Sequence, residues 1–421
     1  MEDFSSKEEK FEQWRYKQKQ CGSGGIVVKR VFGILMSMTV MILMTTGIAA
    51  AEKPVVYLQP VCTYENSINN IKLDDYEQQL LGNMIREKLH KMAAEDELPY
   101  EIREMTADLH HSSGEQLLTD DRIFLYPTVM VSTAIDTRNN NPLYTAYTST
   151  IVAGISLLFC VPEENLDPER VTAEGNTVSL RLLGIVPMVE AESIGIPEYD
   201  IQKDRWRNLR TEEITPEEKS RKIISLTRKM LKEDINFSNI KRNIKDDKAK
   251  MGMETYQVTD VAMSSQKARA LFPEAEAEDL RFLVGYYFTS AYQKKTKRVV
   301  YPPAVGGEDL ANSMIDSAYK LSLDSANGKV NVAMSNPKYP IRLDISGIAS
   351  KVVESGKDVY TFLHKVWLAK KPVEGDEKAE LSRLNTRTVK LPEGTGTDYD
   401  DKMIYSALLL GLAQELGSQD R

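Results

Sequence analysis

Four histidines, three cysteines and a few acid clusters are the residues of this 421-residue chain with chemistry to offer. Their spacing assigns them little of it. His110-His111 stands in a polar stretch beside Asp108 and Glu115. Neutral imidazoles and carboxylates can hold a borderline metal. Adjacent loop residues seldom point at one ion, however, and no third and fourth ligand follow. His90 falls between Lys88 and Lys91 and is expected in solvent. His364 falls on an alternating pattern and is expected to be a half-buried strand residue. Asp398, Asp400 and Asp401 lack the loop length, central Gly and final Glu of a calcium loop, and read as acid at a helix N-terminus. Asp136–Asn141 (DTRNNN) reads as turn residues. The sharpest basic cluster is Lys294-Lys295-Thr296-Lys297-Arg298, near Tyr292 and Tyr301. Its two readings are a solvated helix end, where cations suit the dipole, and a seat for a phosphate-bearing ligand. The chain has no P-loop, no Gly-x-Gly-x-x-Gly after a strand, no His-Glu-x-x-His, no Gly-x-Ser-x-Gly and no Cys-x-x-Cys. No catalytic residue, metal or cofactor is assigned.

The clearest signal is an address. Lys29-Arg30 precede an uncharged apolar run, Val31–Ala51, that ends in an Ala-x-Ala pattern at Ala49 and Ala51. A basic region, an apolar region and small residues at the cleavage position make a secretory signal peptide, with cleavage expected after Ala51. The alternative is an uncleaved anchor, since about 20 apolar residues can span a bilayer. Residues 1–28 are long and charged for what precedes such a signal. They read either as a cytoplasmic tail or as the product of a start codon placed too early, with Val27 or Val28 as the true start. Without residues 1–51 the chain nets −10 against −8 for the whole, which argues against nucleic acid as a partner. Cys62 and Cys160 remain after cleavage. In an exported chain they either pair or lie separately buried.

The elements that must position any site follow from periodicity. Pro54–Pro60 (PVVYLQP) reads as a short strand. Asp74–Met92 reads as a helix, with Tyr76, Leu80, Leu81, Met84, Ile85 and Leu89 at three- and four-residue spacing. Residues 122–135 and 143–161 form a long antiparallel hairpin around the turn, and Val178–Val189 a third strand, with Pro187 at an edge or bulge. Thr215-Pro216-Glu217-Glu218 starts a helix. Further strands are expected over 256–263, 299–303, 329–333, 341–353 and 359–368, and helices over 276–294, 310–321 and 398–416. In 359–368, Tyr360, Phe362, His364 and Val366 share one face. Val359, Thr361, Leu363, Lys365 and Trp367 share the other.

The expected fold is α+β: a first domain over 52–200, a helical connector over 201–250, a second domain over 251–373, a loop over 374–397 and a C-terminal helix over 398–421. The second domain reads as a weak duplicate of the first when Gly82 is set against Gly285 and Pro99 against Pro302. Short strand, helix and antiparallel strands in this order are similar in architecture to the N-terminal domain of the Tol-system propeller protein and to curli-secretion-type proteins. The final helix is apolar over much of its circumference. Met403, Ile404, Leu408 and Leu412 are its candidate partner-binding residues if its own domain does not bury them. The functional expectation is an exported bacterial envelope protein of non-catalytic type that binds another protein or self-assembles. The alternatives are an envelope hydrolase with dispersed acids and an outward-facing protein held by an uncleaved N-terminal helix.

Overall fold

Asp74 starts the first long helix as its residue type requires. Its carboxylate accepts from the Glu77 backbone N–H at 2.7 Å, and the Glu77 carboxylate accepts from the Asp74 N–H at 3.0 Å, a reciprocal capping box. The computed structural model in which this cap is seen describes residues 53–59, 61–63, 70–95, 97–98, 100–104, 123–141, 144–162, 177–233, 235, 237, 240, 254–296, 298–304, 331–334, 338–355, 358–371, 379–391 and 402–419. The signal segment with Ala49 and Ala51, His110, His111, Asp398, Asp400, Asp401 and the helix expected over 310–321 lie outside the described residues.

Helix α1 (Asp75–Ala94) connects β1 (Val55–Leu58) to β3 (Glu101–Glu104), which lie side by side and parallel. On its other side β1 pairs in parallel with β4 (Ile123–Asn141), alongside the two-residue β2 (Cys62–Thr63). Strands β4, β5 (Tyr144–Pro162) and β6 (Thr177–Ile194) then run antiparallel. A small hairpin of β7 (Glu198–Asp200) and β8 (Arg205–Arg207) leads to α2 (Pro216–Lys232). Thr215 caps α2, and Pro216 fills a first-turn position where a missing N–H costs nothing. Leu81, Ile85 and Leu89 of α1 and Ile223, Leu226 and Met230 of α2 pack on Ile151, Ile155, Leu157 and Phe159 of β5.

The second half repeats this topology. β9 (Thr255–Ala262) is followed by a one-turn-and-a-half α3 (Gln266–Leu271), then α4 (Glu274–Thr296), then β10 (Val299–Tyr301), parallel to β9. After β11 (Asn331–Met334) come β12 (Tyr339–Ser355), parallel to β9 on its other side, and antiparallel β13 (Val359–Lys371) and β14 (Ala379–Lys390). Helix α5 (Lys402–Gln419) closes the unit as α2 closes the first. The strand orders β3-β1-β4-β5-β6 and β10-β9-β12-β13-β14 correspond in sequence and direction. β1, α1 and β3 have counterparts beginning 198–200 residues later. Matching Gly82 to Gly285 is therefore about one helical turn out of step, while Leu81, Ile85 and Leu89 fall against Leu280, Val284 and Phe288, all buried.

The halves share one core. The face of the first sheet away from α1 and α2, carrying Phe124, Tyr126, Val152, Leu158 and Cys160, packs on α4. Leu283, Phe288, Leu409 and Leu412 fill the space between that sheet and Val258, Leu343, Val366 and Leu368 of the second. The layers run α1/α2, first sheet, α4/α5, second sheet, so α4 and α5 are buried on nearly all sides. At Gly417 the two helices approach so closely that a Cβ would stand 2.6 Å from the Phe288 carbonyl oxygen. Residues 54–421 form one compact unit.

Five expectations are corrected. Within the expected loop over 374–397, residues 379–390 form β14. This is an edge strand whose charged, half-exposed residues hide the alternation that marks buried strands. The DTRNNN segment pairs with β5 as far as Asn141 opposite Tyr144, so ladder partners override turn propensity there. Cys160 is a free, buried thiol. Cys62 lies opposite Thr128 and Cys160 opposite Phe124, on opposite sides of β4 and four residues apart along it, about 13 Å in that direction alone. A disulfide bridges Cα atoms less than about 7 Å apart. Finally, Met403, Ile404, Leu408 and Leu412 are buried by α4 and the second sheet, which removes them from any partner. β11, expected in the second domain, instead joins the first sheet beside Thr177–Leu180 of β6.

Candidate functional site

The two remaining candidate histidines are structural. His90 Nε2 lies 2.9 Å from Glu104 at the surface of α1, where Arg86 shares the carboxylate at 3.2 Å. His364 is fully buried, not half-buried, because the Tyr360-Phe362-His364-Val366 face of β13 lies under α5, with the Tyr405 ring edge-on at 5.3 Å. Asp136 pairs with Lys219 of α2 at 2.5 Å. The basic cluster after α4 is divided. Arg298 donates to the Tyr292 hydroxyl at 2.6 Å and lies 4.7 Å over the Tyr256 ring, so it is part of the packing. Tyr301 is buried in β10. Lys294 and Lys295 stay exposed. Among the described residues no three His, Cys, Asp or Glu converge as metal ligands, and no helix is long and apolar enough to cross a membrane.

Two features stand out instead. The first is the outer face of the second sheet, where among the described residues no helix covers β12, β13 and β14. The register places Gly347 opposite Trp367, Ala349 opposite Lys365, and Lys351 opposite Leu363, with Leu384 of β14 opposite Lys365. A Cβ at Gly347 would meet the Trp367 ring at 2.8 Å, so the indole lies flat across that glycine. The Lys365 ammonium stands 4.6 Å from the indole centroid. Leu384 is 54% exposed and Val353 51%. Arg342 and Lys371, opposite one another, extend the face. Its cations are Arg342, Lys351, Lys365 and Lys371. Its acids are Asp344, which accepts from the Ser264 N–H at 3.0 Å, and Glu380, which accepts from the Ser346 hydroxyl at 3.1 Å. The face thus intersperses apolar side chains with four cations, on a chain of net charge −8. The alternation in 359–368 already grouped Leu363, Lys365 and Trp367. Leu384 was missed because its strand was.

The second feature is a cavity of about 300 Å³ between β6, the end of α2, α4 and α5. Six consecutive residues of β6, Ile185 to Glu190, line it. A sheet face would present alternate residues only, so the cavity runs along the strand's edge. Pro187 lies there with no N–H to waste, and its carbonyl accepts from the Ser290 hydroxyl at 3.2 Å. Pro187 is thus on the open edge that its residue type requires, since β11 covers β6 only as far as Leu180.

No protein-family model matches the chain, and no curated protein matches it. Among solved structures, an Ntf2-like protein involved in plasmid conjugation is similar at 9% identity over 66% of this chain and 80% of that one, with a TM-score of 0.10. A likeness that small carries no argument about fold or function.

Proposed function

We propose that the protein is an exported bacterial envelope protein that works by binding another protein through the outer face of its second sheet. Export rests on the basic, apolar and Ala-x-Ala order of residues 29–51. Binding rests on one observation: Trp367, Leu363 and Leu384 share the outer face with Arg342, Lys351, Lys365 and Lys371, and among the described residues no helix covers them. Tryptophan is foremost among the residues that dominate binding at interface centres. Two copies meeting through this same face would bring their lysines together, which favours a different protein with an acidic rim over a symmetric pair. The test is the size of the species released from native envelopes without detergent. The wild type is expected to elute well above the mass of its own mature chain, and Leu384→Asp, with unchanged circular dichroism, to elute as the free chain. A wild type that elutes alone, or a Leu384→Asp variant that co-elutes as before, defeats the proposal.

A further inference from the structure

We infer that the cavity between β6, α2, α4 and α5 is a binding site for a small carboxylic acid with an apolar body. Along α4 the lining residues are Tyr287, Ser290, Ala291, Gln293 and Lys294, and all but Gln293 stand three and four apart on one stripe of the helix. The stripe places Tyr287 and Lys294 about 10 Å apart along the axis. Between them the opposite wall is apolar, with Met188, Val189, Met230 and Ile235. The Tyr287 hydroxyl is buried with no hydrogen-bond partner, and the residue is only 7% exposed. A buried hydroxyl without a partner costs free energy, and a ligand oxygen that accepts from it recovers that cost. At the other end Lys294 is exposed, and among the described residues no carboxylate pairs with it.

The charges at the rim decide the sign of the ligand. Glu190 also lines the cavity, but Lys229 holds it at 2.7 Å, and Glu233 lies in the field of the same lysine. Glu233 is exposed to solvent, and Lys294 is the one cation among the described residues that line the cavity. Gln414 and Ser418, one turn apart on α5, add further hydrogen-bonding groups beside it. The volume stands at the low end for ligand pockets, about 300–1,000 Å³, which suits a medium-chain acid and excludes a large cofactor.

Octanoate is the probe, titrated calorimetrically into the full chain, with 1-octanol and octylamine as the same body with neutral and cationic heads. Octanoate is expected to bind, octanol more weakly, and octylamine not at all. Lys294→Gln should weaken octanoate about fivefold, the worth of one half-exposed charge contact, and leave octanol unchanged. Ser290→Leu should fill the space and abolish both. Tyr287→Phe, which should fold whether or not Ser290→Leu does, should weaken octanoate several-fold. The inference is overturned if octanoate gives no binding at millimolar concentration, if octylamine binds as well as octanoate, or if Lys294→Gln and Tyr287→Phe both bind octanoate like the wild type. Neither variant touches the outer face of the second sheet, so failure here leaves the protein-binding proposal standing.

Discussion

Removing the hydroxyl of Tyr286 tests whether the two halves are joined through the α4–first sheet contact. Tyr286 projects from α4 into the first sheet, where its hydroxyl lies 2.9 Å from Ser156 Oγ and donates to the Ile155 carbonyl at 3.3 Å. Ser156 is 1% exposed and Tyr286 1%, so water cannot replace either partner. Tyr286→Phe loses a buried hydrogen bond, a net ~1 kcal/mol, and leaves the Ser156 hydroxyl with one partner fewer, up to a further ~1–3 kcal/mol. The expected loss is about 2 kcal/mol. Ser156→Ala should cost about 1–2 kcal/mol by the same reasoning. The double variant should cost less than the two added, because each single variant already breaks the shared bond. Urea unfolding followed by circular dichroism and by tryptophan fluorescence supplies all four stabilities. Only Trp206 and Trp367 lie within the compact unit, and both stand near the second sheet. The two probes should therefore report one common transition that shifts with each variant. A Tyr286→Phe change below ~0.5 kcal/mol, or strictly additive losses, would refute the reasoning.

Three further outcomes follow from the same packing. Gly417→Ala would gain up to ~1 kcal/mol in an exposed helix, but here the new Cβ meets the Phe288 carbonyl oxygen at 2.6 Å, so thermal unfolding should show a net loss of ~1–3 kcal/mol as α4 and α5 move apart. Burial, with Glu278 and Glu276 beside it, pushes the Asp279 carboxyl up to about 6. A raised carboxyl favours folding most below the unfolded-state value near 4, and the advantage is lost as pH rises through 6. Asp279→Asn should therefore gain stability at pH 7 relative to pH 4, by on the order of 1 kcal/mol once the half-exposed position is discounted for screening. Burial also pushes the Cys160 thiol well up. Iodoacetamide should leave it unmodified in the folded chain and label it in denaturant, and rapid labelling of the folded chain would contradict the packing of β5.

The caps and apolar stripes were legible because their causes are local. Asp74 with Glu77, and Thr215 with Pro216 and Glu218, announce their helices within one turn. The β4–β5 hairpin was legible because strands buried on both faces read as nearly continuous apolar runs, as in Thr150–Val161. What the sequence concealed depends on distant partners. β11 carries four residues whose partner, Thr177–Leu180, lies some 150 residues earlier, and nothing local names it. The apolar circumference of α4 and α5 shows that they must be buried, and only the layer order shows that they lie between two sheets. β14 was hidden for the opposite reason. As an edge strand it carries Arg383, Arg387 and Lys390 where a central strand would carry valine or isoleucine. The outer face it completes was hidden with it, although Lys365 and Trp367 were already on one side of β13. The cavity could not be read at all, since its walls come from four elements between residues 185 and 418.

The most direct test of the protein-binding claim places a photo-crosslinking amino acid at Leu384 and, as a control, at Glu87 on the exposed side of α1, in the native envelope. An adduct heavier than the chain is expected at position 384, of a mass other than twice the chain, and none at position 87. An adduct at twice the chain mass would make the face a self-association surface. Equal labelling at both positions, or none at 384, would contradict the claim that the second sheet's outer face is where this protein meets its partner.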